Sequence, residues 1–136
     1  MDAFDLETAR RILAAQPFST LLGARLTAFG GGEATLEVDI RDELRQQNGF
    51  LHGGVLGYAA DNALTFAAGA AAGEKILTSG FTIDYLRPAD GRTLRAHARV
   101  LRAGRTRVVC RCDLSTLDSR GAPTLCAVAQ GSITVL

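Results

Sequence analysis

Hydrophobic and polar residues alternate along much of this chain with a period of two, the pattern of a β-strand that buries one face. The clearest example is residues 33–40, where Ala34, Leu36, Val38 and Ile40 alternate with acidic residues and a threonine. Other strands are predicted at residues 25–29, 76–86, 93–101, 107–116 and 124–136. Short segments with turn-forming residues join the last four strands, so the pattern predicts a mostly meandering antiparallel sheet.

Two segments have helical character instead. Residues 5–16 place apolar side chains at spacings of three and four, which predicts a short amphipathic helix. We expect Pro17 to end it, and residues 19–23 to be a connector. Residues 53–72 are rich in alanine and carry almost no charge, which predicts a long helix buried on nearly all sides. A membrane-spanning helix is the alternative, but alanine and glycine are weakly hydrophobic and Asp61 lies mid-segment.

The order of these elements defines the predicted architecture. It is an α+β fold in which an antiparallel β-sheet wraps around a long central α-helix, with a short N-terminal helix. The chain has 136 residues, and no linker or repeat divides it, so we expect one domain over residues 1–136.

Composition narrows the possible partners. The formal net charge is +1, which gives no reason to expect nucleic acid or an anionic membrane. Four arginines, at 102, 105, 107 and 111, form either a solvated strand face or a local phosphate-binding patch. The three cysteines lack companions at zinc-ligand spacing, so we expect no metal and reduced core thiols. Reduced thiols and an acidic N-terminus without a basic signal region favour a cytoplasmic protein.

Asp61 is the strongest candidate for chemistry. It is the only charged side chain between His52 and Glu74, and it lies near the middle of the helix predicted to be buried. A buried carboxylate without partners is costly, and ionisable groups in such positions concentrate at functional sites. The structural alternative is that Asp61 caps a neighbouring group or faces solvent at a subunit boundary.

The start of that helix carries the second candidate, His52-Gly53-Gly54. The two glycines allow a ligand to approach the backbone closely. Unpaired N–H groups at a helix N-terminus can hold an anion or a developing oxyanion. For His52 two roles stay open: a hydrogen bond that fixes the loop, or contact with a ligand.

Taken together, Gln46-x5-His52-Gly53-Gly54-x6-Asp61 and the later run Tyr85-Leu86-Arg87-Pro88 resemble the PaaI-type (phenylacetate-pathway) branch of hotdog-fold acyl-CoA thioesterases. The resemblance implies that Asp61 acts as general base or as nucleophile, and that the Gly53 N–H stabilises the oxyanion. It implies that Gln46 orients the thioester carbonyl or the lytic water, with Asn48 as the alternative. A supporting hydroxyl would come from Thr65 or from Thr78, which has Ser79 beside it. No cofactor is implied, because coenzyme A is part of the substrate.

The resemblance also implies a homodimer in which two sheets join edge to edge, usually pairing again into a homotetramer. The active sites would lie at the dimer interface and draw on both subunits. Side chains that could line an acyl pocket are Phe50, Leu51, Tyr58, Phe66 and Phe81, although core packing is the simpler role for Phe66. Cations that could meet the phosphates of coenzyme A are Arg87, Arg92, Arg102, Arg105 and Lys75, each of which could equally be an ordinary surface charge. Competing functions are a non-catalytic acyl-CoA-binding module and a hydratase that uses His52 and Asp61.

Overall fold

The structure is a computed structural model that describes residues 4–136. Three helices and six strands form in the order α1 (Leu6–Ala14), α2 (Pro17–Leu22), β1 (Arg25–Gly30), β2 (Glu33–Asp39), α3 (Gly53–Ala72), β3 (Ile76–Tyr85), β4 (Thr93–Ala103), β5 (Arg107–Leu117) and β6 (Pro123–Val135). A single 3₁₀ turn, Asp42–Leu44, lies in the connection between β2 and α3. Apart from α2, this order confirms the predicted succession of helices and strands.

The six strands form one sheet in the order β1-β2-β4-β5-β6-β3, and every neighbouring pair is antiparallel. Strands β1 and β3 are therefore its two edges within the described chain. A two-residue turn joins β1 to β2. Gly31 and Gly32 both have positive φ there, 62° and 75°, as a type I′ turn requires.

Helix α3 crosses the concave face of this sheet and packs against β4, β2 and β5. Its 20 residues span about 30 Å. The side chains of Ala60, Ala63 and Ala67 are fully buried, and their small size allows the helix backbone to lie close to the sheet. The prediction of an antiparallel sheet wrapped around a long buried helix is confirmed.

One local prediction is wrong. Residues 17–22 form the short helix α2 rather than the predicted connector, and Pro17 begins this helix instead of only ending the previous one. Proline suits the first helical turn, because its missing N–H would have no intrahelical partner there. Gly23 ends α2 in the left-handed conformation, with φ 72°.

The three cysteines are buried and unpaired, as predicted. Cys110 and Cys112 point from β5 toward the helix, whereas the side chains that alternate with them are less buried. Within residues 4–136 no helix combines the length and hydropathy that a membrane crossing requires.

Candidate active site

Asp61 lies half-buried in the middle of α3 and is held by two threonine hydroxyls. Thr78, on β3, donates a hydrogen bond of 2.7 Å to Asp61 Oδ1. Thr65, one helical turn after Asp61, lies 2.7 Å from Thr78 Oγ1 and 3.5 Å from the same carboxylate oxygen. The structure thus brings together both hydroxyls that the sequence offered as alternatives.

The direction of these hydrogen bonds follows from the number of protons available. A hydroxyl has one proton to donate, and Thr78 uses its proton on Asp61. The single proton of Thr65 has two acceptors within reach, the Asp61 main-chain carbonyl oxygen at 2.8 Å and Thr78 Oγ1 at 2.7 Å. Both hydroxyls therefore lie against Asp61, with Thr65 at its main-chain carbonyl and Thr78 on Oδ1. The other carboxylate oxygen has no hydrogen bond within residues 4–136, so it can act on a ligand or a water.

The beginning of α3 provides a second set of groups. His52 is the N-cap residue, and its Nδ1 accepts a hydrogen bond of 2.8 Å from the Gly54 N–H. In this chain His52 therefore fixes the loop, which is one of the two roles considered above. The Gly53 N–H has no partner among residues 4–136 and is available to an oxyanion. Gly54 lies so close to His52 that an added Cβ would meet Nδ1 at 2.9 Å.

Tyr85, at the end of β3, packs directly on Gly53. Its hydroxyl donates a hydrogen bond of 2.9 Å to the Gly53 carbonyl oxygen, and a Cβ added to Gly53 would meet that hydroxyl at 3.2 Å. No role was predicted for Tyr85, although it opens the Tyr85-Leu86-Arg87-Pro88 run. Its contact across 32 positions of sequence depends on how β3 passes the helix start.

Gln46 organises the loop before α3. Its Oε1 accepts a hydrogen bond of 2.6 Å from the Asn48 N–H, and its own N–H bonds to the Phe50 carbonyl at 2.8 Å. These bonds leave the Gln46 side-chain NH₂ without a partner in the described chain. Gln46 is thereby held with a free donor, while Asn48 contributes its backbone to the same loop.

A cleft of about 490 Å³ opens at this end of the helix. Predicted site residues that line it are Gln46, Asn48, Phe50, Leu51, Gly53 and Arg87. Asp61 does not line it. Asp61 lies eight positions after Gly53 on the helix, which corresponds to about 12 Å along the axis. A single chain therefore presents the carboxylate and the candidate oxyanion donors as two separate groups.

The remaining predicted residues lie elsewhere. Ser79 contacts the Thr134 hydroxyl instead of Asp61, and with Phe81 it lines a groove on the side of the sheet that carries Arg107 and Gln130. Phe66 is 5% exposed and packs edge-on against Phe29, which agrees with core packing. Arg102 and Arg105 line a third cleft, at the β4–β5 turn.

A polar cluster that no sequence pattern indicated lies beside Asp61. The Tyr58 hydroxyl donates a hydrogen bond of 2.6 Å to Ser19 Oγ, and Ser19 donates one of 2.6 Å to Gln16 Oε1. The amide of Asn62 lies 3.4 Å from both acceptors. Gln16, Ser19 and Asn62 are residue types that commonly lie on protein surfaces, so the sequence gives no reason to group them. The cluster becomes visible only through the packing of α2 against α3.

A sheet that wraps around one long helix, with a carboxylate at mid-helix and an unpaired N–H at a glycine-rich helix start, defines the class of hotdog-fold thioesterases. Comparison with known proteins agrees. The family model "Thioesterase superfamily" matches residues 48–122, which is more than half of the sequence. The chain belongs to the thioesterase superfamily.

Solved structures show the same fold. A thioesterase family protein from Silicibacter pomeroyi superposes with a TM-score of 0.88 at 29% identity, covering 94% of this chain and 95% of that one. A conserved protein from Pseudomonas aeruginosa gives 0.83 at 28% identity, covering 93% and 98%. The E. coli PaaI protein from the phenylacetic acid degradation operon gives 0.81 at 22% identity, covering 96% and 91%. A search of curated proteins gave no match. The chain thus shares its fold with PaaI, whose branch the sequence motif resembles.

Proposed function

We propose that this protein hydrolyses acyl-CoA thioesters, with Asp61 as the acting carboxylate. The observation that carries the proposal is the hydrogen bond of 2.7 Å from Thr78 to Asp61 Oδ1. It fixes one oxygen of a half-buried carboxylate and leaves the other free to act. Membership in the thioesterase superfamily supports the same activity.

The chemistry needs a base and a stabilised oxyanion, because a thioester carbonyl is already reactive. Asp61 takes a proton from a water molecule, whose oxygen attacks the carbonyl carbon. The Gly53 N–H, with the Gln46 NH₂ beside it in the same cleft, stabilises the oxyanion that forms. The tetrahedral intermediate collapses as the carbon–sulfur bond breaks, and the proton passes to the departing thiolate. In the alternative route Asp61 itself attacks, and water then hydrolyses the mixed anhydride.

The separation of Asp61 from Gly53 supports a site in which the carboxylate and the oxyanion donors come from different copies of the chain. Asp61 and Gly53 are separated along one rigid helix, and the carbonyl must contact both groups at once. Strand β3 carries Thr78 at one end and Tyr85 at the other, and it is an edge of the sheet. Pairing of two antiparallel β3 edges brings the Thr78 end of one copy beside the Tyr85 end of its partner. A homodimer joined in this way, which can pair again into a tetramer, assembles two shared sites.

Replacing the carboxylate tests the chemistry. We expect Asp61→Asn and Asp61→Ala to abolish thiol release from a panel of acyl-CoAs while thermal unfolding remains cooperative. Asp113→Asn is the matched control, because Asp113 lies on the other face of the sheet and is 39% exposed in a surface ion pair. Near wild-type turnover by either Asp61 variant would refute the mechanism. Binding of acyl-CoA by the wild type without thiol release would instead identify a binding module.

Mixing two inactive variants tests the shared site. Asp61→Asn and Gln46→Ala are each expected to lose activity when pure. In a dimer that contains one of each, one site has both residues intact and the other has neither. Random reassortment makes half of the dimers mixed, so about a quarter of the wild-type sites should reappear. If each site lay within one chain, the mixture would remain inactive.

A further inference from the structure

Tyr85 has no part in the chemistry above, although it contacts the candidate oxyanion donor directly. Its ring lies against the Gly53 Cα, because a Cβ added there would meet Tyr85 Oη at 3.2 Å and Cζ at 3.3 Å. Its hydroxyl donates to the Gly53 carbonyl oxygen at 2.9 Å, and its side chain lines the same cleft as Gly53 and Gln46. Tyr85 therefore restrains a residue that, without a side chain of its own, could adopt many backbone conformations.

Two peptide units meet at Gly53, and hydrogen bonds hold each of them. In the Gly53–Gly54 unit, the Tyr85 hydroxyl binds the carbonyl oxygen, and His52 Nδ1 accepts from the N–H at 2.8 Å. In the His52–Gly53 unit, the carbonyl oxygen accepts from the Val55 N–H at 2.9 Å. The Gly53 N–H belongs to this second unit, so its direction changes with any rotation about the backbone bonds of the Gly53 Cα. Tyr85 supplies the restraint on that rotation that comes from a distant strand.

A β-bulge in β3 determines that Tyr85 faces α3. Thr78 and Tyr85 are seven positions apart on one strand, and strict alternation would place their side chains on opposite faces of the sheet. The pairing of β3 with β6 shifts register between Thr78 and Gly80, which adds one residue and brings both side chains to the helix side. Gly131 of β6 accommodates this bulge, because a Cβ there would meet the Gly80 carbonyl oxygen at 2.8 Å. One strand can thus hold both the carboxylate and the oxyanion donor.

The orientation of the Gly53 N–H matters for the reaction more than for the stability of the fold. An oxyanion donor is effective when it lies about 2.7–3.1 Å from the position that the developing charge will occupy. A donor that can rotate away therefore loses stabilisation of the transition state rather than binding of the substrate. Tyr85 is 55% exposed, so loss of its hydroxyl should change the free energy of unfolding little.

We propose that Tyr85 is a positioning residue, which acts through Gly53 to orient the Gly53 N–H toward the oxyanion. The proposal rests on the proposed thioesterase function and adds to it a residue that acts on the reacting atoms only through another. Tyr85 contacts the Gly53 of its own chain. In the shared site, the Tyr85 of one copy therefore supports the reaction at the Asp61 of the other.

Removing the hydroxyl tests this role. Tyr85→Phe keeps the ring against Gly53, and the loss of one neutral hydrogen bond changes a rate by about 3- to 10-fold. We expect kcat for thiol release to fall by that factor, while KM and the urea midpoint stay near the wild-type values. Thr27→Val is the matched control, because the Thr27 hydroxyl also bonds a backbone carbonyl, at 3.4 Å, but at the opposite edge of the sheet.

Mixing two variants separates a role at Gly53 from a role at Asp61. In a dimer of one Tyr85→Phe chain and one Asp61→Asn chain, one site has both residues intact and the other has neither. After random reassortment, and for a tenfold loss in Tyr85→Phe, an equal mixture should be about threefold more active than the same total amount of Tyr85→Phe. If Tyr85 acted on the Asp61 of its own chain, the mixture would instead be about half as active.

The two proposals fail in different ways. If the wild type releases no thiol, the thioesterase function is wrong, and the role of Tyr85 falls with it. Suppose that the wild type is active and that the mixture of Asp61→Asn and Gln46→Ala recovers activity. An unchanged kcat in Tyr85→Phe, or a halved activity in its mixture, then refutes the role of Tyr85 and leaves the thioesterase function intact.

Discussion

The hydroxyl of Thr78 offers the sharpest test of how Asp61 is positioned. Thr78→Val keeps the shape of the side chain and removes its hydrogen bond of 2.7 Å to Oδ1. A hydrogen bond to a charged group contributes about 1.5–3 kcal/mol. Thr65 lies 3.5 Å from the same oxygen and recovers little of this, because that distance is at the limit of a hydrogen bond. With tenfold in rate for each 1.36 kcal/mol, we expect kcat to fall about 10- to 100-fold.

The assay is thiol release followed over a range of acyl-CoA concentrations. Thr78 contacts the carboxylate, so the loss should appear in kcat while KM stays near the wild-type value. Thr78→Ser retains the hydroxyl and should recover most of the activity. Thr27→Val, at an exposed position on β1 at the opposite edge of the sheet, should behave like the wild type. A Thr78→Val protein that is folded and has an unchanged kcat would refute the claim that this hydroxyl orients the catalytic group.

Two further predictions concern stability. Burial raises the pKa of Cys110 to about 11 and that of Cys112 to about 12, so both thiols bind their protons more tightly in the folded chain than in the unfolded one. Their contribution to stability is complete below about pH 8.5 and is lost as the pH rises toward the folded-state values, so the free energy of unfolding in urea should decrease over that interval. A constant free energy there would contradict the assignment. Ala63 is fully buried between α3 and the sheet, so Ala63→Leu should overpack the core and destabilise the protein by about 1–3 kcal/mol, seen as a lower urea midpoint. Equal or greater stability would show that the helix is not packed tightly there.

Periodicity in the sequence was sufficient to predict most of the fold. The alternation at residues 33–40 matches β2, whose side chains Ala34, Leu36 and Val38 are buried. The alanine-rich segment forms α3 over Gly53–Ala72, as the high helix propensity of alanine and the lack of charge predicted. The helix at Pro17 was missed, because proline is common both just after a helix and in the first turn of one.

The predicted site residues lie together in the structure where the motif is local. His52, Gly53 and Gly54 meet at the start of α3, and Gln46 lies in the same cleft as Gly53, within one short stretch of chain. Residues distant in sequence were harder to place. Sequence alone could not choose between Thr65 and Thr78, and the structure shows that both hydroxyls make hydrogen bonds to Asp61.

The sequence by itself determined the types and order of the elements, the isolated carboxylate on the central helix and the glycine-rich helix start. These are properties of neighbouring residues, which periodicity and propensity report directly. Only the tertiary structure decided that Tyr85 packs on Gly53, that Thr78 holds Asp61, and that Gln16 and Asn62 meet Ser19 in one polar cluster. Such contacts join segments far apart in the chain, and they depend on how α2 and β3 pack against α3, which no local pattern encodes.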